Sequence, residues 1–188
     1  MPGPTVILAS GSPQRREILE RLGFGFEVRV SGVEEIVEGD PAEVVLANAL
    51  LKARAVADAA PGCLVIGCDT DVVLDGQVIG KPEDEAMAGR YLARLSGQSH
   101  RVLSGLAVIG AEPERVRTGV AESTVRFREL GEDEVARYLA SGEWRGRAGG
   151  YAIQGRGSAL VAGVEGDVAN VIGLPVGLLL DLAPELES

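Results

Sequence analysis

The sequence predicts a mixed α/β fold, and three observations carry that prediction. Strand-like and helix-like stretches alternate irregularly along the 188 residues. The run Leu64-Val65-Ile66-Gly67-Cys68 is continuously apolar, as a strand covered on both faces must be. An Asp75-Gly76 turn signal separates Val72-Val73-Leu74 from Gln77-Val78-Ile79, which is a hairpin and not the crossover of a strict βαβ repeat.

The remaining elements follow in order. Thr5 to Ala9 reads as a short buried strand stopped by Ser10-Gly11. Ser12 then caps a helix with Pro13 in first position, Ile18, Leu19 and Leu22 on its apolar face, and Gly23 as its stop. Val28 to Val33 is expected to be a second strand, running into Glu34-Glu35. The longest helix starts at Asp40-Pro41-Ala42-Glu43, a cap, a proline and a capping-box acid, and runs to about Ala60, before Pro61-Gly62. Val44, Val45, Leu51, Ala53 and Val56 form its buried side, and Asn48 and Lys52, four apart, share one face. A helix from about Glu83 to Leu95 carries Ala86, Tyr91 and Leu92. Val102 to Ile109 and Val120 to Phe127 are expected as long antiparallel strands across a loop at 110–117. A helix opens at Glu132-Asp133-Glu134, where the dipole favours acids, and stops at Gly142. A glycine-rich stretch at 142–157, a strand from Ala159 to Val164 and a short helix from Val176 to Leu182 complete the chain, read as one domain over 1–188.

Composition excludes several classes of function. There are 28 acidic residues against 18 basic ones, a net charge of −10, so the broad basic footprint of a nucleic-acid binder is missing. A local anion site would have to be built from a few well-placed cations. No apolar run approaches the roughly 20 residues that span a bilayer. The start, Met1-Pro2-Gly3-Pro4-Thr5, has no basic signal region. Cys63 and Cys68 bracket one strand and lie too far apart along it for a disulfide, which points to a reducing cytosol.

Several clusters are candidates for chemistry. Ser10-Gly11-Ser12-Pro13-Gln14-Arg15-Arg16 lies at a strand-to-helix turn. It reads either as a phosphate grip, with arginine forks and a helix N-terminus, or as a capped surface helix. Asp69-Thr70-Asp71 follows the most buried strand, at the carboxyl edge where open sheets place ligands; the alternative is a polar turn. Sixteen of the 18 cations are arginines, so Lys52 and Lys81 stand out; a compact ammonium suits a crowded phosphate pocket, and coding bias explains them equally. Glu34-Glu35 is a pair of potential Mg²⁺ ligands or an ordinary acidic loop. In Tyr151-Ala152-Ile153-Gln154-Gly155, the amide of Gln154 offers a donor and an acceptor to a base edge. His100, the sole histidine, reads as a structural hydrogen-bonding group or a general base.

Taken in order, the motifs cover nearly the whole chain. They are Leu8-Ala9-Ser10-Gly11-Ser12-Pro13 with Arg15 and Arg16, Asn48-Ala49 with Lys52-Ala53, Val65-Ile66-Gly67-Cys68-Asp69-Thr70, and Leu74-Asp75-Gly76. Gly80-Lys81-Pro82, Leu95-Ser96-Gly97 with His100, Ser141-Gly142-Glu143, Tyr151 to Gly155, and Gly173-Leu174-Pro175 follow. This series resembles the Maf (septum-formation Maf-like) family of nucleoside triphosphate pyrophosphatases. The resemblance implies an elongated, twisted mixed sheet flanked by helices, with two lobes around a cleft, related to the inosine-triphosphate-pyrophosphatase fold. It implies hydrolysis of a nucleoside triphosphate to the monophosphate and pyrophosphate with a divalent metal cation, Mg²⁺ or Mn²⁺, in a cytoplasmic homodimer.

By position, Asp69 resembles the family's catalytic acid and, with Glu35, its metal site. Ser10, Ser12, Gln14, Arg15, Lys52, Thr70, Lys81 and Gln154 resemble its substrate-binding residues. Thr70 and Gln154 match the subgroup acting on dTTP, UTP and modified pyrimidine nucleotides. Gln14 departs from that subgroup's usual arginine, and Asp71 from the family's usual apolar residue. Two alternatives stand beside this reading. Asp69-Thr70-Asp71-Val72-Val73 fits a haloacid-dehalogenase-like phosphatase with Asp69 as nucleophile, and a nucleotide-binding regulator of cell division would need no turnover.

Overall fold

The computed structural model describes residues 5–110 and 115–187. Seven strands form one mixed sheet in the order β2-β1-β3-β5-β6-β7, with β4 hydrogen-bonded to β3 off that path. The strands are β1 (Val6–Leu8), β2 (Glu27–Val28), β3 (Leu64–Leu74), β4 (Gln77–Ile79), β5 (Ser99–Ile109), β6 (Val116–Phe127) and β7 (Val161–Glu165). The helices are α1 (Pro13–Arg21), α2 (Pro41–Ala57), α3 (Glu85–Leu95), α4 (Glu132–Ser141), α5 (Val168–Ile172) and α6 (Val176–Leu182). β1 runs parallel to β2 and β3, whereas β4 and β7 pair antiparallel with β3 and β6.

The described residues fall into two compact units. The first comprises residues up to Thr70, then Ser104–Ala121, then those from Gly173; the second comprises Asp71–Leu103 and Glu122–Ile172.

In the first unit β1, the start of β3 and the end of β5 are buried on both faces, which is why they read as unbroken apolar runs. Ile7, Val65 and Ala107 pack with Ala49, Ala53 and Val56 of α2. Their strand neighbours Leu8, Leu64, Ile66, Leu106 and Val108 point the other way, to Leu19 of α1 and Leu179 of α6. α2 lies very close to the sheet, and two strand glycines make that possible. A Cβ at Gly67 would sit 2.2 Å from the Ala49 carbonyl oxygen, and one at Gly105 would sit 2.2 Å from that of Val45.

The second unit is built on Val72, Leu92, Leu95, Val102, Val125, Phe127, Tyr138, Trp144 and Tyr151. His100 is buried here, with its Nε2 2.7 Å from the Tyr151 hydroxyl and its ring edge-on to Phe127 and Tyr151. Burial lowers its pKa to about 4. His100 thus makes the structural hydrogen bond that the sequence allowed.

The caps form as their sequences dictate. Ser12 and Asp40 cap α1 and α2, each followed by proline, and Asp75 and Gly76 both take positive φ in the β3–β4 turn. Several expectations need correction. The second strand is only Glu27–Val28, and 29–36 form no regular element, because Gly32 takes φ +64 and interrupts the extended run. α2 ends at Ala57, and its Leu51 is exposed while Asn48, Ala49 and Lys52 are buried. Ala86 is exposed, since Ala88, Leu92 and Leu95 form the inner face of α3. α5 is a single short turn of helix that no cap or apolar period in the sequence announces. The turn expected at 110–117 falls partly on 111–114, outside the described residues.

Two predictions follow from this packing. Gly67→Ala forces α2 away from β3 and should cost about 3 kcal/mol in urea denaturation, the scale of an overpacked core. His100 takes a proton near pH 6.5 when unfolded and only near pH 4 in the fold. Unfolding therefore binds a proton between those values, and stability should drop by about 3 kcal/mol in all as pH falls through that window. A His100→Gln protein should lack that component when the two pH–stability curves are subtracted.

Candidate active site

The site residues of the first unit gather along β3, beyond the stretch where it pairs with β1. β1 and β3 are in register only from Val6–Leu64 to Leu8–Ile66. β3 then continues unbroken through Cys68, Asp69, Thr70 and Asp71. The Asp-Thr-Asp cluster thus lies inside a strand, and the expectation that it ends the strand is corrected. The β-branched Val72 and Val73 and the tight turn to β4 hold this polar stretch extended. Asp69 still lies at the carboxyl end of the parallel pair, the edge where open sheets bind ligands.

Adjacent strand residues face opposite ways, so Asp69 and Thr70 anchor two different clusters. Asp69 is turned to α2. Its Oδ1 accepts from Lys52 Nζ at 2.7 Å and its Oδ2 from Asn48 Nδ2 at 3.0 Å. These donors are one helical turn apart on α2, as their spacing predicts. Lys52 Nζ also meets Glu35 Oε1 at 2.6 Å. The Lys52 and Asp69 side chains are only 10% and 12% exposed, whereas that of Glu35 is 48% exposed. One ammonium therefore bridges two carboxylates, one buried and one at the surface.

Thr70 belongs to the second cluster, around Arg15. Although charged, Arg15 is buried at the start of α1. Its Nε donates to the Gly173 carbonyl at 2.8 Å, its Nη1 to Ser10 Oγ at 2.9 Å and its Nη2 to Thr70 Oγ1 at 3.1 Å. Thr70 Oγ1 is also 2.8 Å from the fully buried Ser104 Oγ. These contacts employ three of the five N–H groups of a guanidinium and fix its plane. Ser12 Oγ donates to Gln14 Oε1 at 2.9 Å and accepts weakly from Arg15 N at 3.5 Å. Beneath them, the Cys68 thiol lies 3.4 Å from the Gly173 oxygen, and burial raises its pKa.

The structure thus sorts the predicted residues. Ser10, Arg15 and Thr70 form one cluster and Lys52, Asp69 and Glu35 the other, carried on neighbouring β3 residues about 3.8 Å apart at Cα. Arg16 is exposed and paired with Glu20 at 2.7 Å, one turn along α1. Lys81 and Gln154 are exposed residues of the second unit. Gln154 stands just before a 3₁₀ turn, Gly155–Leu160, whose Arg156 and Gly157 N–H groups donate to Glu143. Sequence reasoning gave no role to Ser104 or the Gly173 carbonyl. A serine inside an apolar strand pattern and a glycine before Leu-Pro were the signals available for them.

The donor set suits a hard divalent cation. Two carboxylate oxygens that touch one Nζ lie within reach of one ion, and Mg²⁺ takes one or two carboxylates together with water and phosphate oxygens. Among the described residues no group of three or more His, Cys, Asp or Glu converges to hold a metal by itself.

Fold and site together define an α/β protein with two carboxylates, an ammonium and a guanidinium gathered along β3. The chain belongs to the Maf-like protein family, whose model matches residues 5–186. It is 49% identical over 180 residues to a dTTP/UTP pyrophosphatase of Deinococcus radiodurans, covering 95% of this chain and 91% of that protein. It is 50% identical to a dTTP/UTP pyrophosphatase of Moorella thermoacetica, covering 91% and 89% of the two chains. A crystal structure of a nucleoside-triphosphatase, or dITP/XTP pyrophosphatase, from Mycobacterium abscessus is similar with a TM-score of 0.45. That match is 20% identical and covers 67% of this chain and 75% of the other. No helix among the described residues is long and apolar enough to cross a membrane.

The buried pair carries a direct test. Lys52→Met leaves the Asp69 carboxylate buried without its cation and should cost about 3 kcal/mol in chemical denaturation. Adding Asp69→Asn to that variant should recover most of the loss, because the uncompensated charge is then gone.

Proposed function

We propose that this protein is a nucleoside triphosphate pyrophosphatase acting on dTTP and UTP, including modified pyrimidine nucleotides. The observation that carries the proposal is the buried Asp69 carboxylate, held on one oxygen by Lys52 and on the other by Asn48. The family membership and the names of its 49%- and 50%-identical relatives support the same reading.

In the proposed reaction, water attacks the α-phosphorus. A water O–P bond forms, the bond from the α-phosphorus to the bridging oxygen breaks, and pyrophosphate leaves with that oxygen. Each Asp69 oxygen keeps a lone pair beyond its hydrogen bond to Lys52 or Asn48, and the carboxylate takes the proton from the attacking water as general base. Lys52 holds Asp69 in one orientation and supplies positive charge beside it. Arg15, fixed by Ser10, Thr70 and Gly173, presents its remaining N–H groups to phosphate oxygens, with Ser10 and Ser12 as hydroxyl partners. Glu35 and Asp69 would hold Mg²⁺ or Mn²⁺, which supplies Lewis-acid stabilisation of the charge developing on phosphate. Gln14, Thr70, Lys81 and Gln154 complete the proposed substrate-binding set on the family resemblance, with Gln154 offered to the base edge. A cytoplasmic homodimer belongs to the proposal on that resemblance alone.

The phosphatase alternative uses the same Asp69 carboxylate as a nucleophile on phosphorus. Products separate the two readings, because that alternative releases inorganic phosphate. With dTTP or UTP and Mg²⁺, pyrophosphate and monophosphate should appear in equal amounts, with phosphate and pyrophosphate quantified separately. Asp69→Asn should keep nucleotide binding and lose turnover by roughly 10²–10⁴-fold, the scale of a general base. Wild-type turnover in that variant removes Asp69 from the mechanism, and no turnover by the wild type favours a regulator.

A further inference from the structure

The segment 29–38 belongs to no helix or strand, yet it carries Glu35. Its Val30 and Val37 are 70% and 82% exposed, so it gains little from apolar burial there. One buried side chain grips it at the residue next to Glu35. Asn48 Oδ1 accepts from the Ile36 N–H at 2.8 Å, and Asn48 Nδ2 donates to the Ile36 carbonyl at 2.9 Å. The same Nδ2 donates its second hydrogen to Asp69 Oδ2 at 3.0 Å. Asn48 is 2% exposed and its amide has both hydrogens and its oxygen engaged. From one position on α2 it therefore touches the backbone beside one carboxylate and the oxygen of the other.

We propose that Asn48 is a positioning residue of the reaction, setting Asp69 and Glu35 together on Lys52. The proposal rests on the pyrophosphatase reading of this site. Its chemistry is that of an amide used as a two-way clip. The oxygen and one hydrogen mimic a backbone partner for Ile36, and the other hydrogen orients the base. A helix glycine or apolar residue at this place could pack against β3, but neither would fasten the Glu35 segment. Lys52 cannot substitute, because an ammonium has donors alone and leaves the Ile36 N–H without an acceptor.

The test compares Asn48→Ala with Asn48→Asp, using hydrogen exchange over 29–38 and steady-state dTTP hydrolysis with pyrophosphate detection. Asn48→Ala should speed exchange of the Ile36 amide by about tenfold or more, since its acceptor is gone. It should lower kcat by roughly 10- to 100-fold, the usual scale for removing a group that orients a reacting carboxylate. Asn48→Asp keeps the acceptor for Ile36 N but loses both donors and sets a third carboxylate against Asp69. It should keep the Ile36 amide slow and lose kcat at least as far as Asn48→Ala, a split that general loss of stability does not produce. Thermal unfolding confirms the fold of each variant, and Asn48→Asp, nearly the same shape, stands in if Asn48→Ala does not fold. An unchanged Ile36 exchange rate in Asn48→Ala overturns the proposal. So does wild-type kcat in either folded variant. Wild-type protein that releases no pyrophosphate from any nucleotide overturns the reading of the site instead, and the exchange result then decides whether Asn48 holds the segment.

Discussion

The close approach of α2 to β3 and β5 is the constraint on which the site depends. It exists because Gly67 and Gly105 present no side chain where the Ala49 and Val45 carbonyls pass over the sheet. A helix set further out by one methyl at each contact would still bury Val45 and Ala53, but its Asn48 and Lys52 would stand off from Asp69. Packing and chemistry are thus coupled through two residues that carry neither. The strand pays a conformational cost for each glycine, and the neighbouring β-branched residues and double-sided burial offset it.

Electrostatics makes the second layer. Burying a charged group without partners is costly, so Asp69 has a paired ammonium and each of these buried charges is hydrogen-bonded. Asp69 has Lys52 and Asn48; Arg15 has a carbonyl and two hydroxyls. The two arrangements differ in what they leave over. The Asp69 cluster has two carboxylates for one ammonium and so attracts a further cation, while the Arg15 cluster is a guanidinium surrounded by neutral groups and attracts an anion. Under the proposed function, a metal–polyphosphate matches that pair of preferences. Within a chain of net charge −10, Lys52 and Arg15 are buried and oriented, whereas Arg16, Arg21 and Arg101 lie in exposed pairs with nearby acids.

Local rules made much of the architecture legible. The Ser12-Pro13 and Asp40-Pro41 starts, the Asp75-Gly76 turn and the αL stop at Gly142 all depend on backbone preferences within a few residues. The apolar run at 64–68 announced a doubly covered strand for the same reason. The passage of β3 through Asp69-Thr70-Asp71 was not legible, because polar residues look like a turn until their partners on α2 and α1 are known. Nor was the inward face of α2: an apolar count selects Leu51, whereas the fold buries Asn48 and Lys52 to meet Asp69 and leaves Leu51 exposed.

By itself, then, the sequence determined the mixed α/β class, most helices and strands with their caps and turns, and which motifs carry acids and cations, since these follow from side-chain chemistry and local conformation. Tertiary structure alone decided that Arg15 and not Arg16 turns inward, and that Asn48, Ser104 and the Gly173 carbonyl become partners of site residues. It also decided that Asp69 and Thr70 serve opposite faces of one strand. These outcomes depend on groups 12 to 158 positions apart in the chain, from Asn48 to Ile36 and from Arg15 to Gly173. No local preference encodes such distances; they are set by which helix face can approach a particular strand and satisfy every buried charge.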